Sequence, residues 1–124
     1  MSVPFDQMDG NIWFNGEFVD WKDAKVHVLS HGLHYASAVF EGERCYNGKI
    51  FKGHEHSERL LKSGELIEME IPYTADQIDA AKRAVLDANG FTNAYLRVLA
   101  FRGAGPDMGV AASRNPVRVA DRKS

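Results

Sequence analysis

The sequence predicts an α+β domain: an antiparallel sheet built from hairpins, with two helices on one side and the other face left for another domain or subunit. Three observations carry that prediction. Asn15-Gly16 and Asn47-Gly48 each lie between short runs of strand-forming residues, the strongest short-range hairpin signal. Thr74–Asn89 has helical periodicity and a capping signal at its start. Asn93–Phe101 alternates so that Ala94, Leu96, Val98 and Ala100 form a wholly apolar face, as expected of a strand covered on one side.

Taken in order, residues 1–10 read as a loose arm, and IWFNGEFVDW as two short strands around the first Asn-Gly turn. Lys25–Leu29 (KVHVL) alternates and reads as a further strand or extended run. Ser30–Tyr46 reads as a turn followed by a strand. In Val39–Tyr46, alternation puts Phe40, Gly42, Arg44 and Tyr46 on one face and Val39, Glu41, Glu43 and Cys45 on the other. A glycine inside a strand often marks a close approach by a ligand or another backbone, and with Phe40 and Arg44 beside it Gly42 suits a pocket wall. The plainer reading, an amphipathic strand with an incidental glycine, is favoured by the residues alone. Cys45 on a sheet face reads as a small buried hydrophobe.

The second hairpin turn leads into a short strand, Lys49–Lys52. Gly53–Ile67 has an apolar stripe of Leu60, Leu61 and Ile67; Gly64 fits that helix if it packs closely there. In Thr74–Asn89, Thr74 and Gln77 have capping-box spacing, Ile78, Ala81 and Val85 line one face, and Gly90 stands where a C-terminal cap belongs. Arg97 stands amid apolar side chains on the following strand and must meet either a structural carboxylate or an anionic ligand, the former being the commoner case. Arg102–Val110 is glycine-rich but lacks dinucleotide-fingerprint spacing and no helix follows, so it reads as a flexible turn or a pocket lid. Arg114–Ala120 starts another strand, which Asp121-Arg122-Lys123-Ser124 is expected to stop.

At 124 residues the chain suits one domain. With 44% hydrophobic and 26% charged residues the composition is that of an ordinary globular protein. A net charge of −2 argues against a nucleic-acid or anionic-membrane partner. The single cysteine rules out an intrachain disulfide and a Cys-x-x-Cys site. With no secretory signal and no apolar run approaching the ~20 residues of a membrane span, a cytoplasmic location is expected. A metal site from His31-x-x-His34 with His54-x-His56 is the less favoured alternative to packed histidines: the first pair would share a face only in a helix, against which Gly32 and the hairpin context argue.

The run IWFNGEFVDWKDAKVHVLSHGLHYASAVFEGERCYNG, then HEHSERL, then AYLRVLAFRG, resembles the N-terminal domain of branched-chain amino acid aminotransferases, pyridoxal-phosphate enzymes of the fold-type IV class. The resemblance covers about Ile12 to Ala120, and its Ser-His-x-Leu-His-Tyr…Val-Phe-Glu-Gly block is the specific part. It implies residues 11–120 as the small domain of that fold, and 121–124 as a tail departing from the family. The implied activity is amino-group transfer between leucine, isoleucine or valine and 2-oxoglutarate, in a dimer-based assembly when full length.

Residue by residue, the resemblance assigns Arg59 to the cofactor phosphate, a role suited to planar paired donors. It assigns Tyr35, Phe40, Gly42, Tyr95 and Arg97 to the substrate pocket, with Arg97 meeting the second carboxylate of glutamate or 2-oxoglutarate. Met108, Gly109 and Val110 correspond to a loop that reaches the partner subunit's pocket. Transamination also needs a lysine that forms the Schiff base with the cofactor, and in this family it lies in a second domain. Lys22, Lys25, Lys49, Lys52, Lys62, Lys82 and Lys123 do not match it, so no catalytic residue is assigned. The expectation is a truncated or frameshifted reading of a longer gene, inactive alone and with weak or absent cofactor binding. D-amino acid aminotransferases and aminodeoxychorismate lyases share the two-domain plan and are the alternatives within the class. A non-catalytic dimerisation or binding fragment is the alternative outside it.

Overall fold

A computed structural model describes residues 3–123. Strands β1 (Asn11–Phe14), β2 (Glu17–Asp20), β3 (Ala38–Tyr46), β4 (Lys49–Ile50), β5 (Ala94–Arg102) and β6 (Val117–Lys123) form one antiparallel sheet, in the order β2-β1-β6-β5-β3-β4. Three helices accompany it: α1 (His31–Tyr35), α2 (Gly53–Leu66) and α3 (Ala75–Asn89), of which α2 and α3 cover one face.

Both hairpin turns form as expected. Asn15 and Gly16 have φ of 51° and 92°, Asn47 and Gly48 of 50° and 80°, the left-handed pairing that Asn-Gly tolerates and that matches strand twist. Helix α3 carries its full capping box: Thr74 Oγ1 accepts from the Gln77 backbone N–H, and the Gln77 side chain accepts from that of Thr74. Gly64 lets the end of α2 meet the following turn, since a Cβ there would lie 2.9 Å from the Met69 carbonyl oxygen. Leu60, Met69, Ile78, Val98, Ala100 and Val119 make one core cluster. Cys45, Val85, Leu86, Ala94 and Leu96 make the other, and Cys45 is the small buried hydrophobe expected of it.

Several expectations are corrected. The last strand does not stop at Ala120: β6 continues through Asp121, Arg122 and Lys123, and Asp121 and Lys123 are buried. Pairing with β5 holds the backbone through Lys123, and β1 adds a second ladder as far as Asp121, whatever the side chains prefer. Within the arm, Phe5–Gln7 form a 3₁₀ turn fastened to Trp21, whose Nε1 donates to the Phe5 carbonyl at 2.6 Å. Lys25–Leu29 is not a strand; no neighbour supplies a ladder, and Val26, Val28 and Leu29 remain exposed. The turn at His31–Tyr35 is helical, ending at Ala36 in the left-handed region (φ 56°). The strand at Lys49–Lys52 is cut to Lys49–Ile50 because Lys52 (φ 51°) already turns into α2.

Candidate functional site

Alternation along β3 falls as the sequence indicates. Glu41, Glu43 and Cys45 are buried toward the helices, whereas Phe40, Gly42, Arg44 and Tyr46 face away from them. Antiparallel register then sets Gly42 opposite Arg97, Phe40 opposite Leu99 and Arg44 opposite Tyr95, so four residues assigned to a substrate pocket share one open face. Gly42 is required there by space. A Cβ would lie about 3.0 Å from Tyr95 Cζ and well inside contact with its hydroxyl oxygen. Gly42→Ala should therefore displace the Tyr95 ring and lower stability by about 1–3 kcal/mol, as overpacking does. The same change in a Tyr95→Phe background should cost clearly less. Urea unfolding of the four variants checks this, and equal costs in both backgrounds would refute the steric account.

Arg97 lies over the Phe40 ring, 4.0 Å from its centroid, with Nε buried and unpartnered. Among the described residues it has no structural carboxylate, contrary to the commoner case for such an arginine. Arg59 lies across the sheet edge from this group. Its Nε and Nη2 each donate at 2.8 Å to Glu41, a carboxylate only 5% exposed, while Arg59 itself is 67% exposed. His56 Nδ1 lies 2.6 Å from the same carboxylate. Burial alone would raise the Glu41 pKa, but the hydrogen bonds from Arg59 and His56 outweigh it and hold it below the ordinary carboxylate value. Glu41 thus fixes one edge of the Arg59 guanidinium, and the remaining Nη1 is not used in that pair.

Because β4 pairs only with Cys45 and Tyr46, the rest of the outer edge of β3 carries no strand. Arg59 and Glu41 lie on one side of that edge and Phe40 and Gly42 on the other. Tyr35 comes from α1 rather than from these strands. With His31 it fastens the 103–116 loop: Tyr35 Oη donates to the Met108 carbonyl at 2.7 Å, and His31 Nε2 donates to that of Val110 at 3.0 Å. Since a carbonyl only accepts, the neutral imidazole of His31 accepts at Nδ1 from Ser37 Oγ, 2.6 Å away. His34 Nε2 is occupied with the Val28 carbonyl at 2.8 Å, so the two histidines of the helical turn go to separate partners.

Three features escaped the sequence reading. One is Glu41 as the anchor of Arg59; His56 and Arg59, three apart on one helix, were the available signal. Another is a buried cluster on the helix side. Lys82 Nζ is 2.8 Å from Glu43 Oε1 with both groups fully buried, and it also donates to Ser57 Oγ (2.6 Å) and the Gly53 carbonyl (2.8 Å). Asp121 faces into the same interior with both oxygens unpartnered among the described residues. Burial, then the charge of Glu43, pushes its pKa up to about 8. The third is Arg122, opposite Arg97 across β5 and β6.

The model of the amino-transferase class IV family matches residues 38–120, most of the chain. This chain belongs to that family. It is 45% identical over 101 residues to a probable branched-chain-amino-acid aminotransferase of Rickettsia felis, covering 82% of this chain and 35% of the relative. Its fold superposes on the branched-chain amino acid aminotransferase from Escherichia coli with a TM-score of 0.90 at 39% identity, covering 94% of this chain and 41% of that one. It superposes at 0.86, also with 39% identity, on a T.th. branched-chain amino acid aminotransferase complexed with N-(5'-phosphopyridoxyl)-L-glutamate, covering 93% of this chain and 40% of that one. The chain therefore spans between about a third and two-fifths of the length of such relatives. The family's α+β architecture, with its six-stranded antiparallel sheet, is the one found here. Among the described residues no helix is long and apolar enough to cross a membrane.

Proposed function

We propose that this chain builds part of a pyridoxal-phosphate site for amino-group transfer between branched-chain L-amino acids and 2-oxoglutarate. The observation that carries the reading is the grouping of Phe40, Gly42, Tyr95 and Arg97 on one open face, beside the free strand edge where Glu41 holds Arg59. When bound, the cofactor supplies the electron sink that the chemistry needs. Arg59, kept fully charged and oriented by Glu41, would hold the cofactor's phosphate. A phosphate competes well there because Glu41 occupies only one edge of the guanidinium.

Arg97 would take the second carboxylate of glutamate or 2-oxoglutarate. Its stacking on Phe40 leaves an aromatic wall for the aliphatic side chain of leucine when no such carboxylate is present. The loop at Met108–Val110, fastened by Tyr35 and His31, is the part suited to reach a neighbouring subunit. The proton-moving lysine has no candidate here. Lys82 is fully engaged in the helix-side interior, and Lys123 packs against the Trp21 and Phe91 rings. The chain alone should therefore catalyse no leucine–2-oxoglutarate exchange, yet bind pyridoxal 5'-phosphate weakly and more tightly than pyridoxal, by a margin that Arg59→Ala abolishes. Titration by tryptophan fluorescence with both compounds checks this. Equal binding of the two, or turnover by the chain alone that Arg59→Ala removes, would overturn the proposal.

A further inference from the structure

On the helix side of the sheet, the first turns of α2 and α3 bring a different set of side chains together. His54 and Glu58 stand four apart on α2, and Asp76 and Asp79 three apart on α3, the spacings that put two residues on one helix face. His54 Nδ1 donates to Asp79 Oδ2 at 2.6 Å and lies 3.9 Å from Asp76 Oδ1, while its Nε2 is 3.2 Å from Glu58 Oε1. One ligand atom from each of His54, Asp76 and Asp79 falls within 4.8 Å of the other two. His56 takes no part, being committed to Glu41.

Two observations set this group apart from a solvated patch of charge. Three carboxylates converge on one imidazole, and among the described residues no lysine or arginine comes within 4.0 Å of any of them. The group is also built from beneath. Ser57, wholly buried, donates to Asp79 Oδ1 at 2.6 Å and accepts from Lys82, which fixes the carboxylate and leaves Oδ2 toward His54. Glu58 holds the far nitrogen of the ring, as carboxylates behind metal-binding histidines do. Bonds of about 2.0–2.2 Å to a tetrahedral zinc ion put neighbouring ligand atoms roughly 3.3 Å apart, and the spacings of 2.6 and 3.9 Å bracket that value. An imidazole among carboxylates suits a first-row transition ion, whereas Ca²⁺ and Mg²⁺ favour oxygen alone. We propose that His54 Nδ1, Asp76 and Asp79 bind a divalent transition-metal ion of the Zn²⁺ type, which clamps the starts of α2 and α3 together. The ion takes the place of the proton between Nδ1 and Asp79, which passes to solvent, and water completes its shell. None of these residues belongs to the pocket face or to the Arg59 group, so the site stands apart from the aminotransferase reading and requires no cofactor.

Isothermal titration of the 124-residue chain with Zn²⁺ tests it, with Ca²⁺ and Mg²⁺ as oxygen-preferring controls and thermal unfolding as a second readout. The expected result is one saturable Zn²⁺ site, at least about tenfold tighter than either control, and a higher Tm when Zn²⁺ is present. His54→Gln should remove both effects. Asp76, 92% exposed, can be changed with little risk to the fold, and Asp76→Asn should lose most of the affinity. Glu58→Ala should weaken binding by about tenfold, the loss expected of an outer partner. No saturable Zn²⁺ binding would overturn the proposal. Ca²⁺ binding as tight as Zn²⁺ would reduce the group to an acidic patch and overturn it too, as would full Zn²⁺ binding by Asp76→Asn or by a folded His54→Gln variant. The comparison of ions on the unaltered chain decides the matter even if the histidine variant fails to fold. The outcome is independent of the Arg59 titration.

Discussion

Asp121→Val should raise the stability of this domain by about 3–5 kcal/mol at pH 7, an unusually large gain for one substitution. The carboxyl is fully buried between Trp13 and Val98 in register and has no partner among the described residues. Its folded pKa of about 8 lies far above the ordinary 3.8. Below the ordinary value the group is neutral in both states and costs only its burial. As pH rises above 3.8 the unfolded chain releases the proton while the folded chain keeps it, so the native state binds more protons and stability falls until the folded group also ionises near 8. The stability difference between Asp121→Val and the parent should therefore be smallest near pH 4, widen steadily, and level off near pH 8. Valine fits the strand and the apolar neighbours. Urea unfolding across that range checks it, and parallel curves for the two proteins would refute it.

Lys82→Met should act in the opposite direction. Removing one partner of a buried ion pair leaves the other charge uncompensated, a loss of about 3–5 kcal/mol, enough to unfold much of a marginally stable domain. Here it exposes two acids at once, because Lys82 is the cation that both Glu43 and Asp121 sense. Burial already raises the Glu43 pKa despite Lys82. Without the lysine both carboxyls would need protons to remain inside, so the variant should be unfolded or nearly so at pH 8 and recover part of its structure toward pH 5. Circular dichroism against pH distinguishes this from plain loss of packing, which would destabilise equally at every pH. The effects of Asp121→Val and Lys82→Met should not add, since the groups share one interior.

Local chemistry made much of the fold legible. Asn-Gly turns, a capping box and a strand with one wholly apolar face each depend on neighbours in sequence, and each appears where the residues put it. The errors lie where pairing partners decide. KVHVL alternates well but has no strand beside it, and His31–Tyr35 is too short for periodicity to declare a helix. Asp-Arg-Lys looks like a strand's end and continues the strand because β5 pairs with its backbone throughout and β1 pairs with Asp121 from the other side. The same logic divides the site. Phe40, Gly42, Tyr95 and Arg97 share a face by alternation and register, which a sequence shows once the strands are known. Glu41 beneath Arg59, and Arg122 beside Arg97, depend on which helix and which strand come to lie there.

The placement of β6 between β1 and β5 orders assembly in time. The first hairpin joins the rest of the sheet only through the last strand, by pairs such as Trp13 with Asp121 and Phe14 with Ala120. A nascent chain can pair β3, β4 and β5 and fold its two long helices early, from contacts close in sequence. Its opening hairpin stays without a ladder neighbour until residues about a hundred positions later are made, and closing so long a loop is slow. Throughout that interval both β5 and β1 present a bare edge to whatever else is nearby, so the route to this fold is most exposed to misassembly just before it is complete.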